Sequence, residues 1–449
     1  MSQAVNRISS RAVQLPVLIL CLTLSACTQN IAYRQVDLPR PVASLDQCKK
    51  FGGALEHSGE PGSDYFLGFV EVDDQGVFFS RDQFKNLACD LSSHAESSGA
   101  LISVFVHGWH HNATDGDENI EDFKGSLVKL SQLEHLFAKK TGGIPRKTIG
   151  VYMGWRGESI AWDWLSYLTF WERKNTAEEI ANRSISEALL NLEKIANTKS
   201  LNVLDNRLFI VGHSFGAAVV YNALSPIMLE RLVNDKKLDC KLKGFGDFVF
   251  LVNPAFEAMQ YVNFLGIFAG EKNHCNNQFP VFAVLTSLND EATKYAFPFG
   301  RKFSTLFETY RDMEIPGNDG TTMTVGQGNL DTSAIGHEKI LNTHSLKSNP
   351  EYKNNEQTDD VLTMAGNDCE VVKQLRDGWV NGQKNYILNE VILTNSEKYN
   401  PYTPYLIINV DQQLIPDHTK IYDSKVLNFM RRLVVMSTQE EVCANSQNP

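Results

Sequence analysis

Leu208-Phe209-Ile210-Val211 runs directly into Gly212-His213-Ser214-Phe215-Gly216, and that into Ala217-Ala218-Val219-Val220-Tyr221-Asn222-Ala223-Leu224. A short apolar run, a serine bracketed by glycines and a good helix former in succession read as strand, tight turn and helix. The glycines have a physical reason. A serine on a sharp strand-to-helix turn needs neighbours without side chains, because the backbone there is strained and closely packed. The hydroxyl then stands clear of the sheet, and the helix N-terminus favours negative charge beside it.

The runs on either side set the fold class. Leu101–Val106, Thr148–Met153, Phe248–Val252, Val281–Leu285 and Tyr405–Val410 are near-continuously apolar rather than alternating. Strands buried on both faces look like this, so the reading is α/β, with a mostly parallel central sheet and helices on both faces. Asn175 or Thr176 is expected to cap a helix whose apolar positions run from Ala177 to Ile195, and Arg81–Ser92 and Ser424–Met436 also read as helices. Leu67–Val72 and Gly76–Phe79 around Asp73-Asp74-Gln75 predict an N-terminal hairpin. Residues 291–400, rich in Asn, Gly, Thr and Asp, predict a long insertion or cap before the last strand.

The remaining chemistry is expected at the C-terminal ends of these strands. Asp290 closes Thr286-Ser287-Leu288-Asn289-Asp290 and is the candidate acid, with Glu257 in Asn253-Pro254-Ala255-Phe256-Glu257 as its rival. His418 follows the last apolar run through Pro416-Asp417 and is the candidate base, with His344 as the alternative. Val104-Phe105-Val106-His107-Gly108-Trp109 offers an oxyanion loop, in which the backbone N–H groups of Trp109 and Phe215 are the candidate donors. His107, Arg156 and His344 are candidates to line the substrate site. His107, His110 and His111 with Asp115 or Asp117 match no helical metal-binding spacing, so neither metal nor cofactor is expected. The aromatic block Trp162–Trp171 reads as a buried helix, a pocket lining or a membrane contact.

Arg7 and Arg11 precede the apolar stretch Leu15–Leu24, which ends in Leu24-Ser25-Ala26-Cys27. A positive start, a short apolar core and small residues describe a secretory signal over residues 1–26, too short to span a bilayer. Residues 27–63 read as a tether and irregular lead-in, and 64–449 as the folded domain. The 449 residues carry a formal charge of −11 with no basic run, which excludes sequence-independent nucleic-acid binding. Cys48, Cys89, Cys240, Cys275, Cys369 and Cys443 permit disulfides in an oxidising compartment without fixing their pairing.

The strand–turn–helix around Ser214, the His107-Gly108-Trp109 loop, Asn253–Ala258, Asn289-Asp290 and Pro416-Asp417-His418 together resemble the α/β-hydrolase superfamily, and within it bacterial esterase-like serine hydrolases. Leu24–Cys27 resembles the lipobox of bacterial lipoproteins. These resemblances imply a serine hydrolase of ester or related acyl bonds acting through Ser214, Asp290 and His418. They further imply lipidation of Cys27 and attachment to the outer membrane, facing the periplasm. Acyl transfer on the same scaffold, or a non-catalytic envelope lipoprotein, are the alternatives. The chain lacks a His-Gly-Gly-Gly loop.

Overall fold

The computed structural model describes residues 28–34, 53–159, 169–202, 204–234, 242–269, 277–316, 322–352, 361–396 and 402–438. The lipobox, residues 162–168 of the aromatic block Trp162–Trp171, and Cys48, Cys240, Cys275 and Cys443 lie outside the described residues.

The strands are, in chain order, β1 (Glu56–Ser58), β2 (Tyr65–Glu71), β3 (Ala100–Val106), β4 (Lys147–Gly154), β5 (Arg207–His213), β6 (Phe248–Val252) and β7 (Phe282–Ser287). There follow β8 (Asp312–Pro316), β9 (Thr322–Gly326), β10 (His344–Ser348), β11 (Asn385–Leu388), β12 (Val391–Asn395) and β13 (Tyr405–Val410). Eleven of them form one sheet in the order β1-β2-β4-β3-β5-β6-β7-β13-β10-β12-β11, while β8 and β9 pair separately. Every pairing from β2 across to β10 is parallel. The architecture is therefore α/β with a large, mostly parallel sheet.

Two apolar layers sandwich the sheet, because successive strand residues point to opposite faces. Ile102, Val104 and Val106 join the layer under helices Arg81–Ser97 and Phe215–Asn234. Phe105 and Tyr152 join the opposite layer, under helices Glu118–Thr141 and Ser424–Thr438. With both faces covered, the strands have no solvent side, which is why their sequences do not alternate.

Several expectations are corrected. The partner predicted for β2, Gly76–Phe79, contributes only the single bridge Val72↔Phe78. Both edges of β2 are already taken, by β4 in parallel and by β1 in antiparallel. The hairpin therefore lies one element earlier, with its first strand inside the stretch read as an irregular lead-in. The helix expected to start at Asn175 or Thr176 begins at Phe170. It passes through a π-turn at Ala181–Ile185 and continues as Ser186–Ala196. The cause is external: the Gly76 carbonyl takes the Ser184 N–H at 3.0 Å, out of the helix's own ladder.

Residues 291–400 are not a cap alone. They hold helix Phe297–Ser304 and the β8–β9 hairpin, but also β10, β12 and β11, which extend the main sheet beyond β13. In β12 the burial alternates strictly along Val391–Asn395, as a strand with one packed face should. The tether reading also fails at its start. Tyr33 and Arg34 donate their backbone N–H groups to Glu71 at 2.8 Å each, and Thr28 N–H donates to the Ser159 carbonyl at 2.9 Å.

Candidate active site

Ser214 sits between the last residue of β5 and the first of helix Phe215–Asn234. Its φ is +56°, the left-handed region that costs a non-glycine residue free energy. Neighbouring backbone holds it there. Ser214 N–H donates to Val252 O at 3.0 Å, and Ser214 O accepts from Ala217 N–H at 3.1 Å and Ala255 N–H at 3.2 Å. The turn fits because Gly216 has no side chain: a Cβ there would lie 2.1 Å from Val106 O and 2.4 Å from His107 O.

His418 and Asp290 reach this serine from elements distant in sequence. His418 Nε2 is 2.7 Å from Ser214 Oγ, and His418 Nδ1 is 2.8 Å from Asp290 Oδ2. Asp290 follows β7 and is wholly buried, Ser214 is buried, and the His418 side chain is partly exposed. Burial pushes the Asp290 carboxyl up, but hydrogen bonds and charge from His418, together with bonds from Thr293, outweigh it and hold the pKa below the usual carboxylate value. An ionised Asp290 fixes the tautomer. Nδ1–H donates to the carboxylate, and the Nε2 lone pair is left to accept the serine proton.

The loop carrying His418 is tied down by side chains that sequence reasoning did not assign. Asn253 Nδ2 donates to His418 O at 3.0 Å, and its Oδ1 accepts Ser287 N–H at 2.9 Å. His213 Nε2–H donates to the same His418 carbonyl at 2.8 Å. Ser287 Oγ donates to Ile415 O at 2.6 Å, and Asn289 Nδ2 to Pro416 O at 2.8 Å. Behind the acid, Thr293 Oγ1 donates to Asp290 Oδ2 and accepts from His337 Nε2 at 2.8 Å. Burial lowers the pKa of His337 to about 4 and that of His213 to about 3, so both are neutral donors at neutral pH. Asn253 had a faint signal, since it heads the Asn-Pro stretch after β6. Thr293 and His337 had none, because contact between a turn and a segment 44 residues away leaves no periodicity.

The candidate oxyanion loop packs on the nucleophile: a methyl at Gly108 would fall 2.8 Å from Ser214 Cβ. Phe215 is the first residue of its helix, where N–H groups and the dipole favour negative charge. Trp109 follows Gly108, and its ring lies 6.5 Å from that of Phe215 and 5.3 Å from that of Phe170.

The three proposed lining residues do other work. His107 is fully buried and stacked between Tyr152 and Trp155. Its Nδ1–H donates to Gly108 O at 2.9 Å and its Nε2 accepts Trp155 N–H at 3.0 Å, so it braces the loop from behind. Arg156 binds Asp74 and the Thr28 carbonyl, a structural clamp rather than a lining contact. His344 is buried on β10 with its ring stacked on Trp379, so it neither lines the site nor competes as base. Glu257, the rival acid, pairs with Lys174 at 2.9 Å and Arg301 at 3.0 Å. His110 contacts Glu158, and His111 contacts Asp117 and Asn119. Among the described residues, no group of three or more His, Cys, Asp and Glu side chains is arranged to hold a metal ion.

No protein-family model, curated protein or solved structure matches the chain.

Proposed function

We propose that the chain is a serine hydrolase of carboxylic esters or related acyl bonds, built on an α/β-hydrolase fold. The observation that carries the reading is the continuous series Ser214 Oγ, His418 imidazole and Asp290 carboxylate, at 2.7 and 2.8 Å. In this reading His418 Nε2 takes the hydroxyl proton as Ser214 Oγ attacks the acyl carbon. The imidazolium so formed is stabilised by Asp290, which keeps its charge. His418 then returns the proton to the leaving alcohol, the C–O bond breaks, and an acyl-enzyme remains on Ser214. Water attacks that ester with His418 as base, releasing the acid and restoring the serine. The Phe215 and Trp109 N–H groups would stabilise the oxyanion, each worth about 2.7–4 kcal/mol on precedent. The positive φ of Ser214 supports the reading, because the fold maintains a strained backbone at this one residue of the turn.

The N-terminus is read as that of a lipoprotein, with Cys27 carrying the lipid at the outer membrane and the domain facing the periplasm. Two features support it: the signal-like sequence up to Cys27, and a disulfide at Cys89, which suits an oxidising compartment. No metal or cofactor enters the reaction so written. The test is hydrolysis of p-nitrophenyl esters of increasing acyl length by the wild type beside Ser214→Ala. Turnover by the wild type that falls at least about 10⁴-fold in the variant supports the reading. Equal rates would refute it.

A further inference from the structure

We propose that the rim holding the triad docks on the surface of the phospholipid bilayer, with helix Phe297–Ser304 and the turn after it as the contact. The inference rests on the lipid-anchor reading above and is independent of turnover at Ser214.

Two observations lead to one rim. First, the chain just after Cys27 is fixed to the domain. Thr28 N–H donates to Ser159 O, Thr28 Oγ1 donates to Glu158 O, and Arg156 holds the Thr28 carbonyl at 3.0 Å. Those partners belong to the loop after β4, at the C-terminal end of the parallel sheet, the same end as Ser214, Asp290 and His418. A lipid on Cys27 would therefore leave the domain one residue from a fixed point beside the site, without a long spacer. Second, the segment following Asp290 presents apolar side chains to solvent. Tyr295, Phe299, Phe303, Leu306 and Phe307 are all exposed, Phe307 at 95%. The exposed Lys294 and Lys302 are interleaved with them, and the exposed Glu291 and Glu308 stand at the two ends of the segment.

Contacts join the two places. Ser159 Oγ donates to Glu172 at 2.7 Å, and the neighbouring Trp171 packs on Phe297 with ring centroids 5.6 Å apart. Exposed aromatic rings interleaved with lysines on a short helix match what a headgroup interface takes up: rings at the acyl boundary, ammonium groups among phosphates. An apolar contact in addition to the lipid fixes the orientation of the domain on the bilayer. The patch supplies that contact and turns the site mouth toward the lipid.

Hydroxyl-radical footprinting of the purified, acylated protein on vesicles of phosphatidylethanolamine and phosphatidylglycerol tests this. Leu201, 88% exposed and near the opposite end of the sheet before β5, is the internal control. Oxidation of Phe303 and Phe307 should fall about tenfold relative to Leu201, each normalised to the unfolded chain. In the triple variant Phe299→Ser/Phe303→Ser/Phe307→Ser, turnover of an ester dissolved in the vesicle should fall about tenfold while turnover of a soluble ester is unchanged. Unchanged footprints at Phe303 and Phe307, or cross-links that pair two chains through this helix, would each overturn the proposal, whereas an unacylated Cys27 in the protein as isolated would overturn the lipid-anchor reading beneath it. Absence of turnover on both esters would instead count against the hydrolase reading, and the footprint would still decide the docking.

Discussion

The Asp290 carboxylate accepts from His418 Nδ1–H, Thr293 Oγ1–H and Thr293 N–H, and the three donors are not equivalent. In the proposed reaction His418 takes the serine proton, whereas Thr293 only fixes the carboxylate that orients His418. Thr293→Val keeps the shape and removes the hydroxyl, leaving His337 Nε2 without its acceptor. A hydrogen bond to a charged group is worth about 1.5–3 kcal/mol, so ester turnover should drop roughly tenfold with KM unchanged. Asp290→Asn should cost about 10⁴-fold, because an amide cannot select the Nδ1–H tautomer. A Thr293→Val enzyme with a changed KM and an unchanged kcat would contradict the positioning role. The convergence of Ser214, Asp290 and His418 was legible because each follows an apolar run by a short turn, and chain order separated the candidate acid from the candidate base. The misread residues show what sequence cannot carry. Arg156 and His107 sit at the right end of the sheet but face inward, to Asp74 and Trp155. Only their contacts distinguish bracing from binding.

The strand-to-helix turn is the element on which the site depends. Gly216 passes within reach of the Val106 and His107 carbonyls, so Gly216→Val has nowhere to put its side chain without separating β5 from β3. The expected outcome is a protein destabilised by several kcal/mol, on the order of 3 or more, with ester turnover lost. Chemical denaturation with a midpoint equal to the wild type would contradict this account of the turn. The parallel strands were legible as elements because burial on both faces makes them apolar throughout. β10, β11 and β12 were not, because they are short strands at the edge of the sheet, where only alternate residues are buried. The π-turn at Ala181–Ile185 was invisible for another reason. A carbonyl from the turn at Gly76 causes it, a contact more than a hundred residues away.

At the scale of the whole molecule, burial lowers the pKa of five of the described histidines, His94 among them. The pKa values of His213 and His344 are lowered to about 3, and those of His107 and His337 to about 4. In each case the native value lies below the unfolded one of about 6.5, so the unfolded chain binds protons that the native chain refuses. Stability is therefore full above pH 6.5 and declines as the pH falls toward 4, by up to about 1.4 kcal/mol per pH unit for each histidine. Thermal unfolding should show Tm dropping steadily between pH 6.5 and 4.5, and His344→Leu should flatten the slope. A Tm constant over that interval would contradict it. The docking of Thr28–Arg34 is a feature of the same scale that composition concealed, since a polar stretch reads as a tether until its backbone partners are seen.

The central claim is that Ser214 is an activated nucleophile, and labelling by a fluorophosphonate followed by peptide mass spectrometry tests it most directly. The account predicts a single adduct on Ser214 in the native protein, lost in Ser214→Ala and formed far more slowly in Asp290→Asn. Native, folded protein left without an adduct on Ser214, or labelled there equally fast in Asp290→Asn, would contradict it.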